Sequence, residues 1–474
     1  MGQEIEAAHF HHSDFVRFSD LLKRETALLH DWFATRHFSR RKAIGGLELE
    51  GWLISPDGLP QPANEAFLER AADPDVVAEL SKFNFELNVE PQALSGNGLR
   101  LFEEELTATW LKCQNVAASL DLDVVSIGIL PSLKDQDLCP ANMSKLQRYR
   151  ALNEQLLRLR KGIPIHLEIV GHEHISSVHR DVMLEAGTTS FQIHLQVPQS
   201  LAARYWNAAT ILSAPLVAIS ANSPFLFGHH VWEETRIPLF EQSLATDSPE
   251  RRVTLGSRFV GSIEEIFIEN RDHYPVILPT DLHQPEHRMA HVRLHNGAVW
   301  RWNRPLIGFD DDGTPHLRIE HRPMAAGPTV VDMIANMAFY YGLVEWLVME
   351  PHAPELRLLF ASAKQNFYEA ARLGLGASID WYDGKRWNLT RLIQNVLLDQ
   401  ARKGLRALKI DSSLADRYLA IVEERVASGR TGAAFQSAFA ERHRAADGSR
   451  DLPALVRAYL DRQRSGQPVH TWTL

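Results

Sequence analysis

The chain has 474 residues, 45% of them apolar and 23% charged, with 59 acidic against 50 basic side chains and a net charge of −9. That balance excludes a protein that grips nucleic acid through a general basic excess, and the length provides for a large core. Cys113 and Cys139 have no metal-ligand or C-x-x-C spacing and read as incidental thiols, and the acidic start, Met1-Gly2-Gln3-Glu4-Ile5-Glu6, lacks the layout of a signal peptide, so a cytoplasmic protein is expected.

In chain order, apolar residues at spacings near three and four predict a helix over 13–36, from Phe15 to Trp32. A strand follows at 43–54, closed by the Pro56-Asp57-Gly58 turn, and a second strand pattern covers 83–90. Residues 98–120 read as a helix after the Gly96-Asn97-Gly98 turn, and 124–130 as a buried strand ended by Pro131. Ser144 and Gln147 have capping-box spacing, which predicts a helix from there to Gly162. Strands are predicted at 163–170 and 188–197, and an apolar helix at 199–220, where Pro215 and several polar residues mark a buried rather than a membrane-spanning segment. Residues 262–306, rich in His and Pro, read as irregular. A strand at 316–322 is followed by helix from 328 to 349 and mostly helix to 463. No internal repeat or low-complexity segment occurs. Strands mixed with helices and then a helical C-terminal region predict an α+β fold.

Four strand-like runs share one property. Side chains in a strand alternate between faces, and one face of each run is polar. Glu48 and Glu50 alternate with leucines, and Glu86 and Glu90 share a face with Asn84 and Asn88. Thr188, Ser190, Gln192, His194 and Gln196 fall on one parity, as do His316, Arg318, Glu320 and Arg322. Glu48 and Glu50 would lie about 6.5–7 Å apart at the backbone, close enough to repel unless a cation sits between them. Carboxylates suit Mg²⁺ or Mn²⁺. One strand offers only two or three ligands, so Glu86, His194 and Glu320 are candidates for the rest. Glu86 is preferred to Glu90, which precedes Pro91 at the strand end. Arg318 and Arg322 flank Glu320, and Arg301 and Arg304 add cationic density. Guanidinium forks match phosphate geometry, so acids and arginines together fit a polyphosphate held by metal ions.

Taken singly, each feature has a plain structural explanation. Glu-x-Glu on a strand is usually a solvated face, a lone strand histidine is usually hydrogen-bonded structure, and Arg-x-Glu-x-Arg is usually a surface ion-pair ladder. The conjunction over four runs favours a site. Other signals are weaker. His9, His11 and His12 fit a frayed N-terminus. His172-Glu173-His174 lacks the helical spacing of a zinc protease motif. The histidines at 283, 287, 291 and 295 are spaced by four but interrupted by Pro285. No Gly-x-Ser-x-Gly or dinucleotide fingerprint is present.

These residues carry a resemblance. The chain resembles the glutamate–cysteine ligases of the second type, which include bacterial carboxylate–amine ligases, and more distantly glutamine synthetase. The matching segments are Gly46 to Glu50, Glu86 to Pro91, Thr188 to His194, and Ser220 to Phe225 followed by Gly228, Glu234 and Arg236. Arg318 to Pro323 with Asp332 and Ala335-Asn336 completes the match, which covers about residues 40–345. The resemblance implies a glutamine-synthetase-like antiparallel sheet funnel with packed helices, binding ATP and two or three Mg²⁺ or Mn²⁺. It implies phosphorylation of a substrate carboxylate by ATP, then attack by an amine on the acyl phosphate. It assigns Glu48, Glu50, Glu86, His194 and Glu320 to metal. Arg318 and Arg322 go to the γ-phosphate, Arg236 to ATP or the acid substrate, and Gln192 to nucleotide or substrate. Arg301 and Arg304 are further candidates for the nucleotide. Glu79, Glu86 and Glu90 remain rivals for one or two ligand positions. Trp300 to Arg304 and Asp310 to Gly313 depart from the pattern, which leaves the substrate pocket open. The implied division is an N-terminal helical segment (1–40), a catalytic unit (41–345) and a helical C-terminal region (346–474). The expected partners are a small amino acid, glutamate foremost, and an amine such as cysteine, with a homo-oligomer possible and no nucleic acid or membrane. The alternatives are a metal-dependent hydrolase or phosphotransferase, and a silent binding protein on a ligase scaffold.

Overall fold

A computed structural model describes residues 4–5, 9–41, 43–246 and 251–474. The strands in chain order begin with β1 (Ile44–Ile54), β2 (Val76–Ala78), β3 (Asn84–Ala93) and β4 (Asp123–Val125). A hairpin of β5 (Ile165–Val170) and β6 (His174–His179) precedes β7 (Phe191–Val197). A short hairpin of β8 (Phe225–Leu226) and β9 (His229–His230) follows, then β10 (Asn303–Phe309), β11 (Pro315–His321) and a last hairpin, β12 (Ser378–Asp380) with β13 (Arg386–Asn388).

One sheet dominates. Its order is β10-β11-β7-β1-β3-β2, and β4 pairs with the far end of β1 where β7 stops. Every pairing in it is antiparallel. Period-two alternation sorts the sheet into two faces. Leu47, Leu49, Phe85, Leu87, Phe191, Ile193, Leu195, Leu317 and Ile319 are buried on one. The helices over 98–118, 202–220 and 330–349 cover that face. At Gly45 a Cβ would lie 2.5 Å from Tyr341 Oη, so the strand approaches its helix there only as glycine.

The 330–349 helix is buried on nearly every side. The sheet lies behind it, and the helices over 398–407 and 412–428 lie before it. Backbones touch at Gly342 and Gly404, where a Cβ on Gly404 would fall 1.8 Å from the Gly342 carbonyl oxygen. Leu392, Leu405, Leu419 and Val422 therefore share one core with the sheet. Asp332 reinforces this packing: its carboxylate meets Arg425 Nη2 at 2.6 Å and accepts from the Val469 amide at 2.9 Å. Among the described residues no helix is long and apolar enough to cross a membrane.

The structure corrects several local expectations. Of the 124–130 run only Val124 and Val125 are strand, the end of β4. Beyond it the Ile127 carbonyl is taken by Trp52 Nε1 and Thr189 Oγ1, and the Gly128 carbonyl by the Thr189 amide, so these backbone groups need no ladder. Ser144 does not cap a helix, which starts at Gln147; its hydroxyl donates to the Glu79 carbonyl and accepts from Asn64 Nδ2. The 262–306 stretch is ordered, with helices over Glu264–His273 and Ala290–Gly297 and the start of β10. The second of these helices is held from far away in sequence. Buried Glu25, on the leading helix, accepts from the His291 and Val292 amides at 2.8 and 2.9 Å. The β12–β13 hairpin interrupts the helical C-terminal region.

Candidate active site

The uncovered face of the sheet is polar because its alternate residues are. Register then brings distant residues together: Glu320 sits opposite His194, and Glu50 opposite Glu86. Glu48, His194 and Glu320 form one group and Glu50, Glu79 and Glu86 a second, each with ligand atoms all within 4.8 Å of one another. Both groups line one cavity of about 290 Å³, at the lower end of the range for small-ligand pockets. The sheet order separates the cavity's ends. Glu50, Glu79 and Glu86 lie toward the β2 edge, and Arg304 and Arg318 toward the β10–β11 edge.

In the first group His194 Nε2 is buried without a hydrogen bond, 3.4 Å from Glu48 Oε1 and 3.7 Å from Glu320 Oε1. A buried ring nitrogen left idle between two carboxylates suits a bound cation. Arg304 forks onto Glu320, with Nε 2.8 Å from Oε2 and Nη2 3.0 Å from Oε1. Arg322 Nη1 reaches Glu320 Oε2 at 3.1 Å and also donates to Gln192 Oε1. Burial alone would raise the Glu320 carboxyl, but Arg304 and Arg322 pull it down to about 2. Arg318 Nε is buried on the same cavity wall without a hydrogen-bond partner, a donor aimed where an anion fits.

The second group has the opposite character. Glu50 accepts from the Ser190 amide and hydroxyl at 2.7 and 2.9 Å and from Gln192 Nε2 at 2.9 Å. Burial and the Glu79 charge nevertheless push it up to about 7, against the pull of Arg322. Burial and then the Glu48 charge lift Glu86 well above the carboxylate range. Glu185, also on the cavity wall, is lifted by burial and by Glu79 and Glu50. Carboxylates that resist ionisation together form a donor set that a divalent cation would relieve.

Of the predicted residues, the structure gathers Glu48, Glu50, Glu86, Gln192, His194, Arg304, Arg318, Glu320 and Arg322 on one cavity. Of the rival acids, Glu79 and Glu86 both face it, while Glu90 is exposed at the β3 end. Two placements are corrected. Arg301 is turned away and buried, with Nη2 3.0 Å from Asn270 Oδ1 and 3.5 Å from Glu269 Oε2. It precedes β10, which begins only at Asn303, whereas Arg304 is carried on that strand. Arg236 lies beneath the floor. It pairs with buried Glu234 at 3.0 Å and donates to the Arg322 and Pro323 carbonyls, so it holds the backbone that carries Arg322. Sequence reasoning missed Glu185, Arg148, Tyr149 and Arg293, and the apolar wall of Phe267, Leu278 and Leu294. None of these lies on a strand of the polar pattern.

A curled antiparallel sheet with such an open face and helices behind it is a glutamine-synthetase-like fold. Residues 44–452 match glutamate–cysteine ligase family 2, and the chain belongs to that family. Among solved structures, it is similar to a glutamate–cysteine ligase from Francisella tularensis in complex with AMP, with 11% identity and a TM-score of 0.50. That match covers 92% of this chain and 96% of the other. It is also similar to a bifunctional glutathione synthetase from Pasteurella multocida, with 13% identity and a TM-score of 0.56 over 93% of this chain. Here the chain spans about half the other protein's length, 54% of it. Identities this low establish fold alone. No curated protein matches the chain.

Proposed function

We propose that this protein is an ATP-dependent carboxylate–amine ligase that joins the carboxylate of a small amino acid, glutamate foremost, to an amine such as cysteine. Family membership supports the ligase class. The observation that carries the finer reading is the convergence of two cation-competent carboxylate groups with Arg304, Arg318 and Arg322 on one cavity. Mg²⁺ or Mn²⁺ would be held by Glu48, His194 and Glu320 and by Glu50, Glu79 and Glu86, the idle His194 nitrogen and the strained carboxylates being the features that fit it. When bound, such ions neutralise phosphate oxygens and draw electron density from phosphorus.

In the proposed reaction a substrate carboxylate oxygen attacks the γ-phosphorus and ADP leaves. The amine nitrogen then attacks the acyl carbon, gives up its proton, and inorganic phosphate leaves. Arg318 and Arg322 face the transferred group as guanidinium forks, and Arg322 is preset by Gln192 and Glu320. Arg304 keeps Glu320 ionised and oriented. A hydrolase acting on an uncharged substrate gives these arginines no role.

The test is phosphate release from ATP with Mn²⁺ or Mg²⁺, glutamate and a panel of amines. Release that depends on the amine, with a new amide product, is expected, and Glu320→Gln should abolish it while circular dichroism stays unchanged. Release indifferent to every amine in a broad panel would overturn ligation.

A further inference from the structure

A second cluster of ligand-type side chains lies outside the cavity. The turn between β5 and β6 docks onto the segment after β9. The His172 amide donates to the Val231 carbonyl at 3.0 Å and the Glu173 amide to the His230 carbonyl at 2.8 Å. The Glu173 carboxylate returns a contact by accepting from the His230 amide at 2.9 Å, and Arg450 holds it at 2.7 Å. Gly171 permits this approach, since a Cβ there would lie 2.3 Å from the Val231 carbonyl oxygen. The docking stacks the His172 and His230 rings 4.5 Å apart and places Glu233 beside them. Ligand atoms of His172, His230 and Glu233 all fall within 4.8 Å of one another, and none of these residues lines the catalytic cavity.

We propose that His172, His230 and Glu233 form a second metal site, for Zn²⁺ or another imidazole-preferring transition-metal ion, that staples the β5–β6 turn to the segment leading into Glu234 and Arg236.

Two imidazoles and one carboxylate are a zinc donor set, and three protein ligands leave a fourth position for water. Mg²⁺ prefers all-oxygen surroundings, so ligand chemistry sorts the two kinds of site. His230 is prepared for the task. Its Nε2 lies 3.1 Å from Ser437 Oγ, which leaves Nδ1 for an ion and orients the ring. The half-buried Glu233 carboxylate has no hydrogen bond among the described residues, and Gly374 leaves it room: a Cβ there would lie 3.2 Å from Glu233 Cγ. The two rings are inclined by only 19° and stacked, so one of them must turn for both to present a nitrogen to the same ion. The exposed His172 ring, which makes no side-chain hydrogen bond among the described residues, is the one that turns to close the site.

The experiment is a Zn²⁺ titration of the full chain against a chromophoric zinc indicator, with Mg²⁺ in large excess to occupy the oxygen-rich cavity. One tightly held zinc per chain is expected. His172→Ala and Glu233→Gln should each weaken it by about tenfold or more, while His194→Ala keeps it. The indicator reads zinc binding alone, so the result does not depend on the ligase reading. Absence of tight zinc in the wild type, wild-type affinity in either His172→Ala or Glu233→Gln, or loss of the zinc in His194→Ala would overturn the proposal.

Discussion

The acidic end of the cavity sets up a quantitative competition between protons and metal. Glu50 is raised from an ordinary 4.5 to about 7 by burial and Glu79. A divalent ion bound there must displace the proton that remains, so its apparent dissociation constant is multiplied by 1 + 10^(pKa−pH). For a value of about 7 the factor is about 11 at pH 6, about 2 at pH 7 and about 1.1 at pH 8. Affinity for Mn²⁺ should therefore rise about tenfold between pH 6 and pH 8 from Glu50 alone, and further because Glu86 is also raised. The sign for stability follows from the same shift. The folded value lies above the unfolded one, so without metal Glu50 loses the protein stability as pH rises from about 4.5 through 7. The loss is at most about 3 kcal/mol, and less because Glu50 is only partly buried. Titration calorimetry with Mn²⁺ and no nucleotide, in buffers of different ionisation heat, reads both affinity and proton release. About half a proton from Glu50 is expected at pH 7, with a larger Mn²⁺-induced rise in melting temperature at pH 8 than at pH 6. Glu50→Gln should remove the tenfold part of the pH dependence that Glu50 supplies. A Mn²⁺ affinity that is constant from pH 6 to pH 8, with no proton released, would refute the reasoning.

Arg322→Lys should lower kcat by about 10²-fold or more, because a point charge cannot serve Glu320 Oε2 and Gln192 Oε1 together; near-normal turnover would remove Arg322 from the reaction. Arg301→Met should leave the KM for ATP unchanged but destabilise the fold by about 1–3 kcal/mol, because Asn270 and Glu269 would be left without their guanidinium partner; nucleotide kinetics and thermal melts separate the two effects. Asp332→Asn should cost about 3–5 kcal/mol, since it strands the buried Arg425 charge; an unshifted urea midpoint would show that this pair does not hold the C-terminal helices in place.

What is legible in the sequence is whatever period-two alternation encodes. Glu48, Glu50, Glu86, His194, Arg318 and Glu320 sit on strands whose alternate residues are apolar, so the alternation alone reveals their shared face. It does not reveal their mutual pairing, because the register of β7 against β11 and of β1 against β3 is a property of the assembled sheet. Glu79 and Glu185 come from a loop and a 3₁₀ turn, where no period marks a direction. Arg293 lies on the helix whose start is fixed by Glu25, far away in sequence. Composition groups Arg301 with Arg304, whereas geometry sends them apart. His172-Glu173-His174 lacks helical spacing, and the partners of its first residue, His230 and Glu233, lie on another segment.

The arginines and acids of the cavity hold one another before any substrate arrives, and this bears on how the proposed reaction is stabilised. Arg322 pulls down both Glu50 and Glu320, so one guanidinium serves as counter-ion to both carboxylate groups. A triphosphate entering with its cations would exchange partners and leave few bare charges: the cations take over the carboxylates, and the guanidinium turns toward phosphate. The desolvation cost of burying these charges is then already met in the resting fold, and only the difference between two compensated arrangements is left for binding. Arg236 supports this exchange from below. It holds the Arg322 and Pro323 carbonyls while its own charge is answered by Glu234. The fork of Arg322 is thus fixed at its backbone and remains free to exchange at its tip.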